Sequence, residues 1–203
     1  MANKNKASFK GHCQLCDRLQ MLPGGKMAKH GYTVANRGNW GFFNGTCAGS
    51  DELPYEQSAA LLPPMIAEQT RVIANLEKWR EEVLSPVVEQ KCWVHEYVRG
   101  SYHRSGYYRW RYVDVIATPR TSQDGSYSWI LFTYKSEDGK TEEHFSAGSD
   151  TGKDVVTFCA KMNAKKADDI SRNIKNHNEY KVWLEKRLAN FKVTDLIPRK
   201  EGE

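Results

Sequence analysis

Cys13-Gln-Leu-Cys16, followed by His30 and then Cys47, constrains the first part of this chain more than any apolar pattern does. Two thiolates separated by two residues can approach one ion while backbone amides support the sulfurs, and later ligands return from a second loop. Three thiolates and a neutral imidazole then close a tetrahedron. The expectation is one zinc ion held by Cys13, Cys16, His30 and Cys47. Its role is structural, because no coordination position remains for water or substrate. His12 is the alternative to His30 as a ligand, and buried free thiols are the alternative to a metal site. Three thiolates on a divalent ion leave net negative charge, which Arg18, Lys26 and Lys29 are near enough in sequence to moderate.

Residues 1–55 are rich in Gly, Asn and Lys with short apolar pieces, which suits a loop-built metal module. The chain has five cysteines, an odd number. Its beginning, MANKNKASFKGH, lacks the apolar core of a signal peptide, so metal binding explains the cysteines better than a disulfide framework. No apolar run of about eighteen residues is present, which excludes a membrane-spanning helix. A cytoplasmic protein is expected. The hydrophobic fraction of 39% is ordinary for a globular chain and excludes wholesale disorder. The net charge of +5 is unevenly spread: residues 1–37 and 161–192 are basic, whereas 50–89 are acidic. Such blocks could be partners for each other or could face different molecules.

The pieces CQLC, MAKHGY, GFFNGTCAGS and LPYEQS, spread over residues 13–58, carry a resemblance. They resemble the N-terminal signature of poorly characterised zinc proteins from phages and other mobile elements, in which CxxC, HGY, GxC and a P-[YF]-E-x-S tail recur. The resemblance implies the metal role of Cys13, Cys16, His30 and Cys47, with His30-Gly31-Tyr32 carrying the third ligand. It implies that Pro54, Tyr55 and Glu56 seat the module on the following helix. It also implies a mobile-element origin, and so the host-cell cytoplasm, but no defined activity.

Beyond the metal module, periodicity sets the architecture. After Pro63 and Pro64, which stand where a helix start tolerates proline, Leu62, Met65, Gln69, Val72, Leu76, Trp79 and Val83 form a heptad seam on a helix over 65–84. A second seam, Ala167, Ile170, Ile174, His177, Lys181, Leu184, Leu188 and Phe191, predicts a helix over 167–191. One helix is acidic and the other basic, so they pair as an antiparallel hairpin, or else zip to a second copy as a dimer. Residues 92–146 read as an antiparallel β meander with tight turns at Asp124-Gly125 and Asp138-Gly139. A shorter helix over 152–163, capped by Thr151 with Asp154, would bury Val155, Val156, Phe158, Cys159 and Met162. The fold class is α+β: a zinc-binding module at 1–58 and an α+β body at 59–203, its meander inserted between the two paired helices.

The segment GSYHRSGYYRWRY alternates arginine with aromatic residues. Counting outward from Asp124-Gly125 pairs Ala117 with Phe132, Val115 with Tyr134 and Asp114 with Lys135. Val113, Val115, Ala117, Ile130, Phe132 and Tyr134 then share an apolar face, and Tyr108, Trp110 and Tyr112 lie on the opposite one. With Arg99, Arg104, Arg109, Arg111 and Arg120 nearby, this surface suits nucleic acid or an extended partner: rings for stacking, guanidiniums for phosphates. The competing reading buries the rings, through a bulge before Asp114 or under the helices.

Other signals carry less. Gly148-Ser-Asp-Thr-Gly152-Lys153 is one residue short of a phosphate loop and reads as a helix start. Glu96, Asp114 and Lys135 only loosely match a metal-dependent nuclease set, and no Cys or His has a nucleophile–base context. The expectation is a non-enzymatic, zinc-stabilised protein that binds nucleic acid. The alternative is a phage inhibitor or effector that binds a host defence or transcription complex. A nuclease is the remote third.

Overall fold

The computed structural model describes residues 8–31, 45–86, 90–98, 105–125, 128–135, 141–145 and 154–200, with the backbone alone at 128 and 141–145. The protein is α+β. Its elements in chain order are β1 (Phe9–His12), β2 (Leu19–Met21), α1 (Leu62–Leu84), β3 (Lys91–Val98), β4 (Tyr107–Asp114), β5 (Ile116–Thr121), β6 (Ser128–Lys135), β7 (Thr141–Phe145), α2 (Val155–Ala189) and β8 (Ile197–Pro198). Contacts divide the chain into two units, one of residues 1–72 with 177–203 and one of 73–176, and both helices run through both.

In the first unit, β1 and β2 form a hairpin with His12 opposite Leu19, so the Cys13–Cys16 turn sits at its tip. β8 pairs with the other edge of β1. These strands are too short to bury a face alone. The core therefore gathers Leu15, Leu22 and Met27 with Leu62 of α1 and Leu184 of α2. Leu62 and Leu184 are fully buried, which contributes roughly 1.5–3 kcal/mol each. Gln14 is also buried, with both ends of its amide satisfied. Its Nε2 donates to the Leu53 carbonyl at 2.8 Å, and its Oε1 accepts from the Leu61 amide at 2.9 Å, just before α1 begins. The metal-module turn thus satisfies a donor that a helix start leaves open.

In the second unit, the expected single meander is two sheets: β3 with β4, and β5-β6-β7. The register of β5 and β6 is the one counted from Asp124-Gly125, with Ala117 opposite Phe132, but the turn itself falls one residue earlier: the Gly125 amide donates to the Ser122 carbonyl at 3.0 Å, with Gly125 at φ 72°. The split occurs at Val115, whose amide donates to the Gln90 carbonyl at 2.8 Å as the chain leaves β3 and joins β6. Pro119 is tolerated because β5 is an edge strand. The apolar face of Val113, Val115, Phe132 and Tyr134 packs against Phe158, Cys159 and Met162 of α2, with Phe132 stacked on Phe158 at 4.2 Å. Val156, expected in that core, is exposed.

The helices expected at 152–163 and 167–191 are one helix. No Gly or Pro interrupts Asn163-Ala-Lys-Lys-Ala167, so helix continues while the partner changes. Met162 belongs to the sheet core, whereas Ala167, Ile170 and Ile174 pack with Ile73 and Val83 of α1. Asp154 caps α2, its carboxylate accepting from the Thr157 amide at 2.9 Å and the Thr157 hydroxyl at 3.0 Å. Thr151, the Asp138-Gly139 turn and the 148–153 loop lie outside the described residues. The two seams meet within one chain and run antiparallel. In the first unit Leu62 shares a core with Leu184, and the His177 Nδ1–H donates to Gln69 Oε1 at 2.7 Å. Ile66 and Ile73 widen the seam beyond its heptad positions, and Leu188 is exposed.

Candidate metal centre and aromatic face

The side chains of Cys13, Cys16, His30 and Cys47 converge, their ligand atoms all within 4.8 Å of one another. A tetrahedral ion with bonds of about 2.3 Å to sulfur and 2.0–2.1 Å to nitrogen requires edges of about 3.8 Å between sulfurs and about 3.5 Å from sulfur to nitrogen. Cys13 Sγ lies 3.8 Å from Cys47 Sγ, and Cys16 Sγ lies 3.4 Å from His30 Nε2. The set fits one metal ion.

The surroundings aim each donor. His30 Nδ1 lies 2.8 Å from the Ala28 carbonyl, which can only accept, so Nδ1 carries the proton and the Nε2 lone pair faces the thiols. Asp17 and Asp51, each four residues after a ligand cysteine, have φ of 58° and 63°, so the two cysteine loops turn alike. In the second loop Ser50 stands where the first has Cys16. Its hydroxyl accepts from the His30 amide at 3.2 Å, so an imidazole serves in place of a fourth thiolate. Gly49 is required by close approach: a Cβ there would lie 2.4 Å from Cys13 Sγ. The hydrogen bond with Cys47, and then burial, push the Cys13 thiol up to about 12, while the same bond lowers Cys47. Burial raises Cys16. Metal entry must therefore displace protons.

His12 is not a ligand. Its Nδ1 lies 2.5 Å from Glu56 Oε1, and its amide donates to the same carboxylate. Of the cations expected near the thiolates, Arg18 donates to the Gly31 carbonyl at 2.9 Å, and Lys26 and Lys29 are exposed. The cation at the knuckle is Arg187 of α2, which sequence reasoning missed. It pairs with Asp17, donates to the Cys13 carbonyl at 3.2 Å and lies 3.9 Å over the Tyr55 ring. Tyr55 donates to the Arg187 carbonyl at 2.6 Å and packs against the core that holds Leu62 of α1, so it seats the module on α2 as well as on the following helix. Tyr180 donates to the Leu15 carbonyl inside the knuckle at 2.8 Å. Burial, then the neighbouring thiols Cys47, Cys13 and Cys16, push its hydroxyl up to about 12.

In the second unit, β3 and β4 place Trp93 opposite Tyr112, His95 opposite Trp110 and Tyr97 opposite Tyr108, all on one face. His95 stacks on Tyr108 and Trp110 at 5.0 and 4.8 Å. Tyr97, Tyr108 and Tyr112 are exposed. Trp110 is half-buried, its Nε1 donating to Asp169 of α2 at 3.1 Å. Burial pushes the Asp169 carboxyl up, but hydrogen bonds from Arg172 and Trp110 outweigh it and hold the group below the usual carboxylate range.

Arg109 and Arg111 do not join the rings. Strand alternation turns them to the opposite face, where Arg109 reaches Glu96 Oε1 at 2.8 Å and Arg111 reaches Oε2 at 3.0 Å. Glu96 is buried and neutralised there, which removes it from any nuclease set. Asp114 lies 3.8 Å from Lys91 instead of pairing with Lys135. Arg99 and Arg104 lie outside the described residues. Among the described residues, Cys13, Cys16, His30 and Cys47 are the one group of three or more such side chains placed to hold a metal ion, and no helix is long and apolar enough to cross a membrane. No protein-family model, curated protein or solved structure matches the chain.

Proposed function

We propose that this chain is a non-enzymatic binding protein, stabilised by one structural zinc ion, that recognises a protein partner through the tyrosine-rich face of β3 and β4. Three thiolates and an imidazole at tetrahedral spacing favour zinc. With all four positions filled by protein, the ion serves the fold and leaves recognition to the surface.

The observation that carries the partner class is the arrangement around Trp110. His95 stacks on both Tyr108 and Trp110, so each of these rings gives one face to a contact within the protein. The nearest arginines of β4 are held by Glu96 on the other face. Exposed tyrosines of this kind anchor protein interfaces, whereas nucleic acid needs open ring faces beside cations. Nucleic acid, the partner expected from the sequence, becomes the second reading, favoured by Lys165 and Arg172 of α2, which line a cavity with His95 and Trp110. The resemblance of residues 13–58 supports a phage or mobile-element origin, and so a host protein as the target of an inhibitor or effector.

Capture from nuclease-treated host lysate, with the parent and a Tyr108→Ala, Tyr112→Ala variant, tests this. A specific protein should be retained by the parent and lost by the variant. Single-strand binding that falls steeply between about 50 and 200 mM salt, with nothing retained after nuclease, would replace this reading with the nucleic-acid one.

A further inference from the structure

Lys166, on α2, is almost fully buried although it is a lysine. Its ammonium lies among three indoles, 4.5 Å from the Trp79 centroid, 5.4 Å from Trp93 and 5.2 Å from Trp110. Trp79 and Trp93 meet edge to face at 5.8 Å, which makes two walls of a cage, and Trp110 makes the third. Among the described residues no carboxylate pairs with the ammonium, and its three N–H groups make no hydrogen bond. The charge that favours its ionised form is Asp169. A primary ammonium is poorly matched to such a place, because it is strongly hydrated and the indole faces offer its donors no hydrogen-bond acceptor. Burial accordingly lowers its pKa. A quaternary ammonium has no N–H to strand and sheds water easily, and aromatic cages bind it through the ring quadrupoles.

A cavity of about 420 Å³ that shares Trp110 with the cage is lined by His95, Trp110, Met162, Lys165, Asp168, Asp169 and Arg172. Trp110 is a wall of both, and Asp169, which bonds its indole, lines the cavity too. Lys166 can leave by rotating its flexible stem toward water, which restores hydration to its ammonium.

We propose that Trp79, Trp93 and Trp110 form a binding site for a methylated ammonium, occupied by Lys166 until such a ligand displaces it. The chemistry is shared by a trimethylated lysine side chain and a small quaternary ammonium such as choline. The site stands independently of the partner recognised by the tyrosine face.

Tryptophan fluorescence of the full chain, titrated with tetramethylammonium chloride and with ammonium chloride as the salt control, tests it. The parent should respond saturably to tetramethylammonium and not to ammonium. Lys166→Ala should tighten binding by about tenfold or more, because it removes a competitor that keeps most of the cage filled. Trp110→Ala should abolish it. Trimethyllysine and unmethylated peptides of one sequence, run beside choline, separate the two sources. No saturable response of the parent to tetramethylammonium, choline or the trimethyllysine peptide overturns the proposal, even if Lys166→Ala binds, since the cage would then be only a socket for lysine. A parent response that ammonium chloride matches overturns it equally.

Discussion

The hydroxyl of Tyr180, near the end of the last long helix, donates to the carbonyl of Leu15 at 2.8 Å, inside the turn that links Cys13 to Cys16. Residues far apart in the chain therefore share one unit, and the metal module is built on α2 as much as on its own loops. Tyr180→Phe keeps the ring but leaves that carbonyl without its partner. It should cost about 1–3 kcal/mol of stability, read by denaturant melting of metal-loaded protein, with the metal lost earlier in the transition than in the parent. An unchanged melt would mean that the knuckle holds its shape without α2.

Gly49 and Gly24 offer a controlled comparison. A Cβ at Gly49 would lie 2.4 Å from Cys13 Sγ, whereas at Gly24 it would meet nothing, although φ there is 65°. Gly49→Ala should lower the metal content well below that of the parent. Gly24→Ala should keep its metal and lose only about 1–2 kcal/mol for a left-handed alanine. Metal analysis of both proteins, with a melt, decides it.

The ligand set was legible because metal geometry restricts the spacing of Cys13, Cys16, His30 and Cys47, and the β5–β6 register because counting outward from Asp124-Gly125 gives the observed pairs, although the turn itself falls one residue earlier. The heptads of α1 and α2 likewise announced their pairing. The continuity of α2 was hidden, because its buried side turns from the sheet to α1 between Met162 and Ala167, and a change of partner looks like a break in periodicity. Arg187, Tyr180, Gly49 and Ser50 act across long separations or through the absence of a side chain, and no local pattern marks either. The β3–β4 register was also out of reach, because the connection between these strands holds both Gly100-Ser101 and Ser105-Gly106 and so no single turn to count from, and the clamp of Arg109 and Arg111 on Glu96 could not be counted.

That clamp predicts a stability effect. Glu96 accepts from both arginines while its side chain is 6% exposed. Glu96→Gln would remove the carboxylate charge that both guanidiniums face. Because the arginines are themselves partly exposed, the cost should be about 2–3 kcal/mol, below the usual range for a fully buried pair. It should also persist at high salt, as a surface pair would not. Chemical denaturation at low and high salt measures both.

Trp110 and Tyr108 stand on the same face with different burial. Trp110 stacks on His95, bonds Asp169 and walls the Lys166 cage, so Trp110→Ala should cost about 3 kcal/mol of stability. Tyr108 is 65% exposed, so Tyr108→Ala should leave the melt nearly unchanged and weaken partner binding. Thermal melts of the two variants separate these roles, and a large loss of stability on Tyr108→Ala would remove that face as a recognition surface.

The central claim is that Cys13, Cys16, His30 and Cys47 hold one zinc ion that organises the first unit. Elemental analysis of protein purified without added metal, with the parent beside Cys16→Ser, tests it most directly. The parent should carry about one zinc per chain. Cys16→Ser should carry far less, and chelation of the parent should raise hydrogen exchange first in residues 8–31 and 45–58, where folding and metal binding are coupled. A parent chain that is folded, protected in those residues and free of zinc would contradict the account.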